Sequence, residues 1–147
     1  MLSGGRVFYF LSTMPNTFRK AERLHSHKLI QQLFAEGNMW GKYPYKVVWM
    51  PLVDPKGAPA EMMMSVSKKK FKRANKRNLL RRRMKEAYRQ NKEAFTLFLQ
   101  SINLRVACAI IYLPNEEIPY ADIEKGMKKM LVRLMDEITL QLNDKPN

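Results

Sequence analysis

From Ser26 onward, Leu29, Ile30, Leu33 and Phe34 recur at helical spacing, and Gly37 follows as the usual C-terminal stop, so a first helix is predicted there. The next run, Tyr43-Pro44-Tyr45-Lys46-Val47-Val48-Trp49-Met50, is rich in aromatic and β-branched residues. It closes at Pro51 and the turn-forming stretch Asp54-Pro55-Lys56-Gly57, the pattern of a strand. Residues 61–67 read as a second extended run, with Met62, Met64 and Val66 on one face and Met63, Ser65 and Ser67 on the other. These two strands are expected to be antiparallel neighbours joined by a loop, with room for a third strand between Pro51 and Met64.

After a basic loop over residues 68–76, the pattern over residues 77–92 becomes helical, gathering Leu80, Met84, Ala87, Tyr88 and Asn91 on one side. Residues 105–113 are almost continuously apolar, which marks a strand buried on both faces. Strand, helix, strand at this spacing implies a parallel crossover. A last long helix carries Ile123, Met127, Met130, Leu131, Leu134 and Ile138 in a single stripe. The order α-β-β-α-β-α is that of a compact α+β sandwich.

Composition narrows the class. A chain of 147 residues, 46% hydrophobic, suits one domain whose core needs no disulfide or metal staple. The single cysteine, Cys108, lies in an apolar run, where a buried structural thiol suits a reducing cytosol, and a cytoplasmic location is expected. No run approaches the roughly 18 apolar residues of a membrane span, so no membrane partner is expected. The apolar string Val7-Phe8-Tyr9-Phe10-Leu11 is too short for a signal peptide core and is followed by no small-residue cleavage site. Residues 1–14 are therefore expected to be a disordered or misassigned extension, with Met14 as an alternative start. Residues 15–142 are expected to form one domain, and residues 143–147 a disordered tail.

Charge points to a partner. Lys and Arg number 27 against 13 Asp and Glu, a net +14, and a polyanion is the first expectation. Between Ser65 and Lys92 the cations include Lys68, Lys69, Lys72, Arg73, Arg77, Arg81, Arg82, Lys85 and Arg89, opposed only by Glu86. Helical geometry puts Asn78, Arg81, Arg82, Lys85 and Arg89 on the face away from Leu80 and Met84. Like charges three and four apart cost some tenths of a kcal/mol each. A phosphate backbone outside the protein accounts for such a ridge better than local stability does. Asn78, at the head of the predicted helix, reads as a capping residue that could also touch a sugar or base edge. Exposed aromatics near a cationic groove would stack unpaired bases, and Phe34, Tyr43, Tyr45, Trp49 and Phe71 are the candidates. Tyr45 and Trp49 share a strand face with Val47 and are either all core or all platform. His25 and His27 complete no metal set, and no nucleophile with its base and no phosphate-loop motif is present, so chemistry would belong to a partner.

The segment Ser65-Val66-Ser67-Lys68-Lys69, the basic loop, and Arg77-Asn78-Leu79-Leu80-Arg81-Arg82-Arg83-Met84-Lys85-Glu86-Ala87 resemble the signature of the bacterial ribonuclease P protein subunit, S-V-S-K-K, a short loop, then R-N-R-x-K-R-x-x-R-E-A. Phe18-Arg19-Lys20-Ala21-Glu22-Arg23-Leu24 and Phe34-Ala35-Glu36-Gly37 are similar to the family's amino-terminal segment and first helix. The likeness spans residues 15–142. Leu79 stands where the motif has its second Arg, the loop is one residue longer, Phe71 stands near a usual glycine, and Ile30 stands where an aromatic is common. Arg83 and Arg73 are nearby cations that could compensate for the missing Arg.

The resemblance implies a single α-β-β-β-α-β-α domain with a central mixed sheet, like the second domain of one small-subunit ribosomal protein. Its βαβ crossover would be left-handed, against the general rule. It further implies partnership with the ribonuclease P catalytic RNA and with precursor tRNA, whose 5′ leader is removed in a Mg2+-dependent cut made by the RNA. Lys68, Lys69, Lys72, Arg73, Arg77, Asn78, Arg81, Arg82, Lys85 and Arg89 would then bind RNA, and Phe34, Ile30, Tyr45 and Trp49 would line the leader cleft. A stand-alone RNA chaperone or ribosome-associated module would use the same helix without a catalytic partner. A DNA-reading helix-turn-helix fits the flanking strands poorly, and no DNA partner is expected. A protein-only nuclease lacks a carboxylate pair suited to magnesium.

Overall fold

The computed structural model describes residues 17–144. The expected extension at residues 1–14 falls outside them. Four strands, β1 (Asn38–Lys42), β2 (Tyr45–Pro51), β3 (Ala60–Val66) and β4 (Val106–Tyr112), form one mixed sheet in the order β1-β2-β4-β3. Four α-helices accompany it: α1 (His27–Glu36), α2 (Ala74–Asn91), α3 (Glu93–Ser101) and α4 (Tyr120–Asp144), with a 3-10 turn at Lys20–Glu22 before α1. Asn143 and Asp144, expected in the tail, complete α4 instead.

β4 pairs antiparallel with β2 and parallel with β3. The expectation that β2 and β3 are neighbours is therefore corrected, because β4 lies between them. Val106–Tyr112 is buried in both phases of its alternation, and such a strand needs a partner on each side and a layer on each face. A direct β2–β3 hairpin would have left it on an edge with unpaired backbone groups. The parallel crossover from β3 into β4 is present, through α2 and α3. The additional strand is β1, ahead of β2, and not between Pro51 and Met64. Its sequence, Asn-Met-Trp-Gly-Lys, has little intrinsic strand preference, and its hairpin register with β2 supplies the order. Helix α3 was also not anticipated; it buries Phe95 and Leu99, four residues apart.

Each face of the sheet has its own core. On one face, Tyr45, Val47 and Trp49 of β2, Met62 and Met64 of β3, and Cys108 and Ile110 of β4 pack with Leu80, Met84 and Tyr88 of α2 and Ile123, Met127, Met130 and Leu134 of α4. The Tyr45 hydroxyl donates to the Ile123 carbonyl at 2.8 Å, fixing α4 to the sheet. Cys108 is fully buried in this layer, and burial pushes its thiol up, away from the reactive thiolate. On the other face, Val48, Met50, Ala107 and Ala109 lie with Leu33, the one fully buried residue of α1.

Gly37 follows α1 in extended backbone, at φ −69° and ψ 160°, not in the left-handed stop geometry that the sequence suggested. Its role is space: a Cβ here would collide with the Leu33 carbonyl and stand 2.7 Å from Val48 Cγ1. Overpacking of this kind costs about 1–3 kcal/mol, more than the roughly 0.4–1 kcal/mol gained by stiffening the unfolded chain. Gly37→Ala is therefore expected to destabilise, and urea denaturation measures it. An unchanged midpoint would show that α1 can shift on the sheet at no cost.

Candidate nucleic-acid interface

Helix α2 carries the densest charge in the chain and begins at Ala74, three residues before the predicted start, with Arg73 in the N-cap position. Its inner face is short but complete: Leu80, Met84, Ala87 and Tyr88 are at most 1% exposed. Like-charge repulsion along a helix sums to a few kcal/mol at most, and burial of four such side chains exceeds it at about 1.5–3 kcal/mol for each large one. Packing on the sheet, not propensity, holds this helix together.

The outer side chains fall into two groups. Lys68, Lys69, Lys72, Arg73, Asn78 and Arg82 are exposed, and Arg77, Arg81, Lys85 and Arg89 are partly buried. Arg77 braces the basic loop, donating to the Phe71 carbonyl at 2.8 Å and the Lys72 carbonyl at 2.9 Å. Phe71 itself is buried, edge-on to Tyr112 at 5.8 Å, so it anchors the loop and offers no ring to a base. Arg83 and Lys76 both reach Glu117 at 2.6 Å, and these contacts hold the Glu117 carboxyl below the usual range. Arg83 is therefore committed to the loop ahead of α4. Glu86 is held by Arg89 and Gln90, which likewise lowers its carboxyl.

Asn78 is not a cap. It sits in the second turn of α2, where its Oδ1 accepts from Arg81. The free N–H groups of the helix lie one turn earlier, flanked by Lys72, Arg73 and Lys76. Among the described residues, Lys68, Lys69, Lys72, Arg73, Arg81, Arg82 and Lys85 have no carboxylate partner. The surface is built to take negative charge from outside.

An amino-terminal strip runs beside α2. Phe18 packs edge-on against Tyr88 at 5.5 Å, and the Arg23 guanidinium lies over the Phe18 ring at 5.3 Å. Lys92, only 9% exposed, donates to the Glu22 carboxylate and the Thr17 carbonyl, clasping this strip to the end of α2. Leu24 N–H donates to the Met62 carbonyl at 2.9 Å, so the strip also pairs with the edge of β3. Between strip and helix is an open depression of about 420 Å³. Phe18 and Arg23 line it together with Arg82, Lys85 and Arg89 of α2, and Arg83, Glu86 and Tyr120 complete its walls.

The sheet aromatics divide by face. Tyr45 is fully buried and Trp49 is 2% exposed, both beneath the α2–α4 layer, so neither can stack on a base: the core alternative holds for the pair. Phe34 is 42% exposed and Tyr43 69% exposed, while Ile30 packs partly against the second core. The accessible phase of the sheet is the opposite one. There Lys46, Ile111 and Ser65 stand in one cross-strand row, with Met63 in the row beside it, all of them partly exposed. The lone Lys46 between apolar Tyr45 and Val47 was the signal that could have identified this face. Among the described residues no group of three or more His, Cys, Asp or Glu could hold a metal ion, and no helix is long and apolar enough to cross a membrane.

The profile of the family described as Ribonuclease P matches residues 18–135. A ribonuclease P protein component of Porphyromonas gingivalis is 34% identical over 128 residues, 86% of this chain and 93% of the relative. One from Chlorobium phaeobacteroides is 32% identical over 136 residues, 85% and 90% of the two chains. Among solved structures, the RNase P protein of Thermotoga maritima aligns with a TM-score of 0.59 at 20% identity, covering 76% of this chain and 96% of that one. The RNase P protein of Staphylococcus aureus aligns with a TM-score of 0.56 at 20% identity, covering 78% and 95%. These two share the fold.

Proposed function

Because the chain belongs to the ribonuclease P protein family, we propose that it works as the protein subunit that docks on the ribonuclease P catalytic RNA through α2 and its basic loop, and holds the 5′ leader of precursor tRNA. The observation that carries this reading is the one-sided distribution of α2, with four buried residues toward the sheet and, on the outer side, Arg81, Arg82 and Lys85, which have no carboxylate partner among the described residues. Phosphate contacts of this kind position RNA without reading its sequence. The leader is assigned to the partly exposed sheet face carrying Lys46, Ser65 and Ile111, bordered by Phe34 and Ile30 of α1. One or two bases stacked on Phe34 would give affinity with little sequence preference.

Membership of this family places the chain in an endoribonuclease complex. We assign the bond cleavage, and the Mg2+ it uses, to the RNA partner and substrate. The chain's own part is electrostatic: it neutralises phosphates where the catalytic RNA and substrate crowd together. The stand-alone chaperone reading is not favoured, since the relatives are ribonuclease P components.

The direct test is cleavage of a precursor tRNA by bacterial ribonuclease P RNA at low magnesium, with and without this protein. Cleavage at the mature 5′ end that needs both components is the expected result. Tight RNA binding with no stimulation would return the chaperone reading, and cleavage by the protein alone would overturn the division of labour.

A further inference from the structure

The depression between the amino-terminal strip and α2 is a more specific feature than the ridge as a whole. Arg23 enters it from the strip, and Arg82 and Lys85 from the helix; none of the three has a carboxylate partner among the described residues. Arg23 is not free to swing away, because its guanidinium donates to the Phe18 carbonyl at 3.0 Å and lies over the Phe18 ring. The strip that carries it is clasped by the part-buried Lys92–Glu22 pair. Partial burial, followed by the fields of Arg23 and Arg81, holds the Lys85 ammonium below its usual value. Glu86, the carboxylate on the wall of the depression, is already taken up by Arg89, so the like charges of Arg23, Arg82 and Lys85 that face this space still oppose each other until a further anion enters it. We propose that Arg23, Arg82 and Lys85 close on a single backbone phosphate of the RNA strand, making the amino-terminal strip a second wall of the RNA site.

This rests on the reading that α2 docks on RNA, and it adds Arg23, a residue outside the basic helix. A planar guanidinium fork on one wall and an ammonium on the other suit the oxygens of a phosphate diester. Phe18, buried beneath Arg23, is the support on which that guanidinium rests.

The test uses the full chain and bacterial ribonuclease P RNA, with affinity measured across a salt series for Arg23→Gln, Lys85→Gln and the double variant, and with thermal melting as the fold control. Each single variant is expected to weaken binding roughly tenfold and to flatten the log–log salt slope by up to about 0.7–0.9. The double variant is expected to lose clearly less than the product of the two, since both cations serve one phosphate. Arg23→Lys keeps the charge and is expected to keep the slope; it also carries the test if Arg23→Gln melts early. Multiplicative losses would overturn the shared site, as would unchanged binding by folded variants. Wild-type chain that fails to bind the RNA in a salt-dependent way would instead overturn the docking reading itself.

Discussion

Trp49→Ala is expected to cost about 3–5 kcal/mol of folding stability, measured as a fall in the midpoint of chemical denaturation. The indole is 2% exposed, sits between the sheet and the α2–α4 layer, and has no solvent to fill the space it leaves. The same truncation at Phe34, 42% exposed on α1, is expected to leave stability within about 1 kcal/mol. There the loss should appear in leader binding, by about 1–3 kcal/mol per stacked base. The two variants together separate the faces of the sheet. A Trp49→Ala protein that folded normally but lost the leader would reverse the assignment of faces.

The second large effect is electrostatic. Arg81→Ala combined with Arg82→Ala is expected to flatten the log–log dependence of RNA affinity on salt by about 1.4–1.8 units, at about 0.7–0.9 per phosphate contact. Stability should hardly change, because Arg82 is exposed and Arg81 donates only to Asn78 on its own helix. An Arg77→Ala variant would be a poorer probe, since that side chain also braces the loop through two carbonyls. An unchanged slope in the double variant would remove the second and third turns of α2 from the interface.

Much of this architecture was legible because burial imposes periodicity. The stripe from Ile123 to Ile138 in α4, the alternation of Met62, Met64 and Val66 in β3, and the inner face of α2 all follow from it. What escaped was whatever depends on partners distant in sequence. β1 has no strand signal of its own, and the place of β4 between β2 and β3 follows from which strand needs neighbours on both sides. The same limit governed the site. Aromatic content nominated Tyr45 and Trp49, but only the layer stacked over them shows that this phase is core. Arg23 stood in a basic stretch without periodicity, and it becomes informative once Lys92 and Glu22, far apart in the chain, fix the strip beside α2. Gly37 looked like a conformational stop and is a matter of clearance.

The insertion of β4 between its neighbours has a consequence for biosynthesis. The cationic helix emerges before the strand that completes the sheet beneath it, since Val106 follows Asn91 in the chain. Until β4 slides into place, no finished layer exists for Leu80, Met84 and Tyr88 to rest on, and a lone segment so rich in repelling charges has little reason to stay helical. The surface proposed to dock on RNA is therefore expected to mature late, once β4 is in place. A nascent chain stopped short of residue 106 would carry the full complement of α2 cations yet offer the RNA only a flexible polycation, without the fixed spacing that distinguishes docking from adhesion.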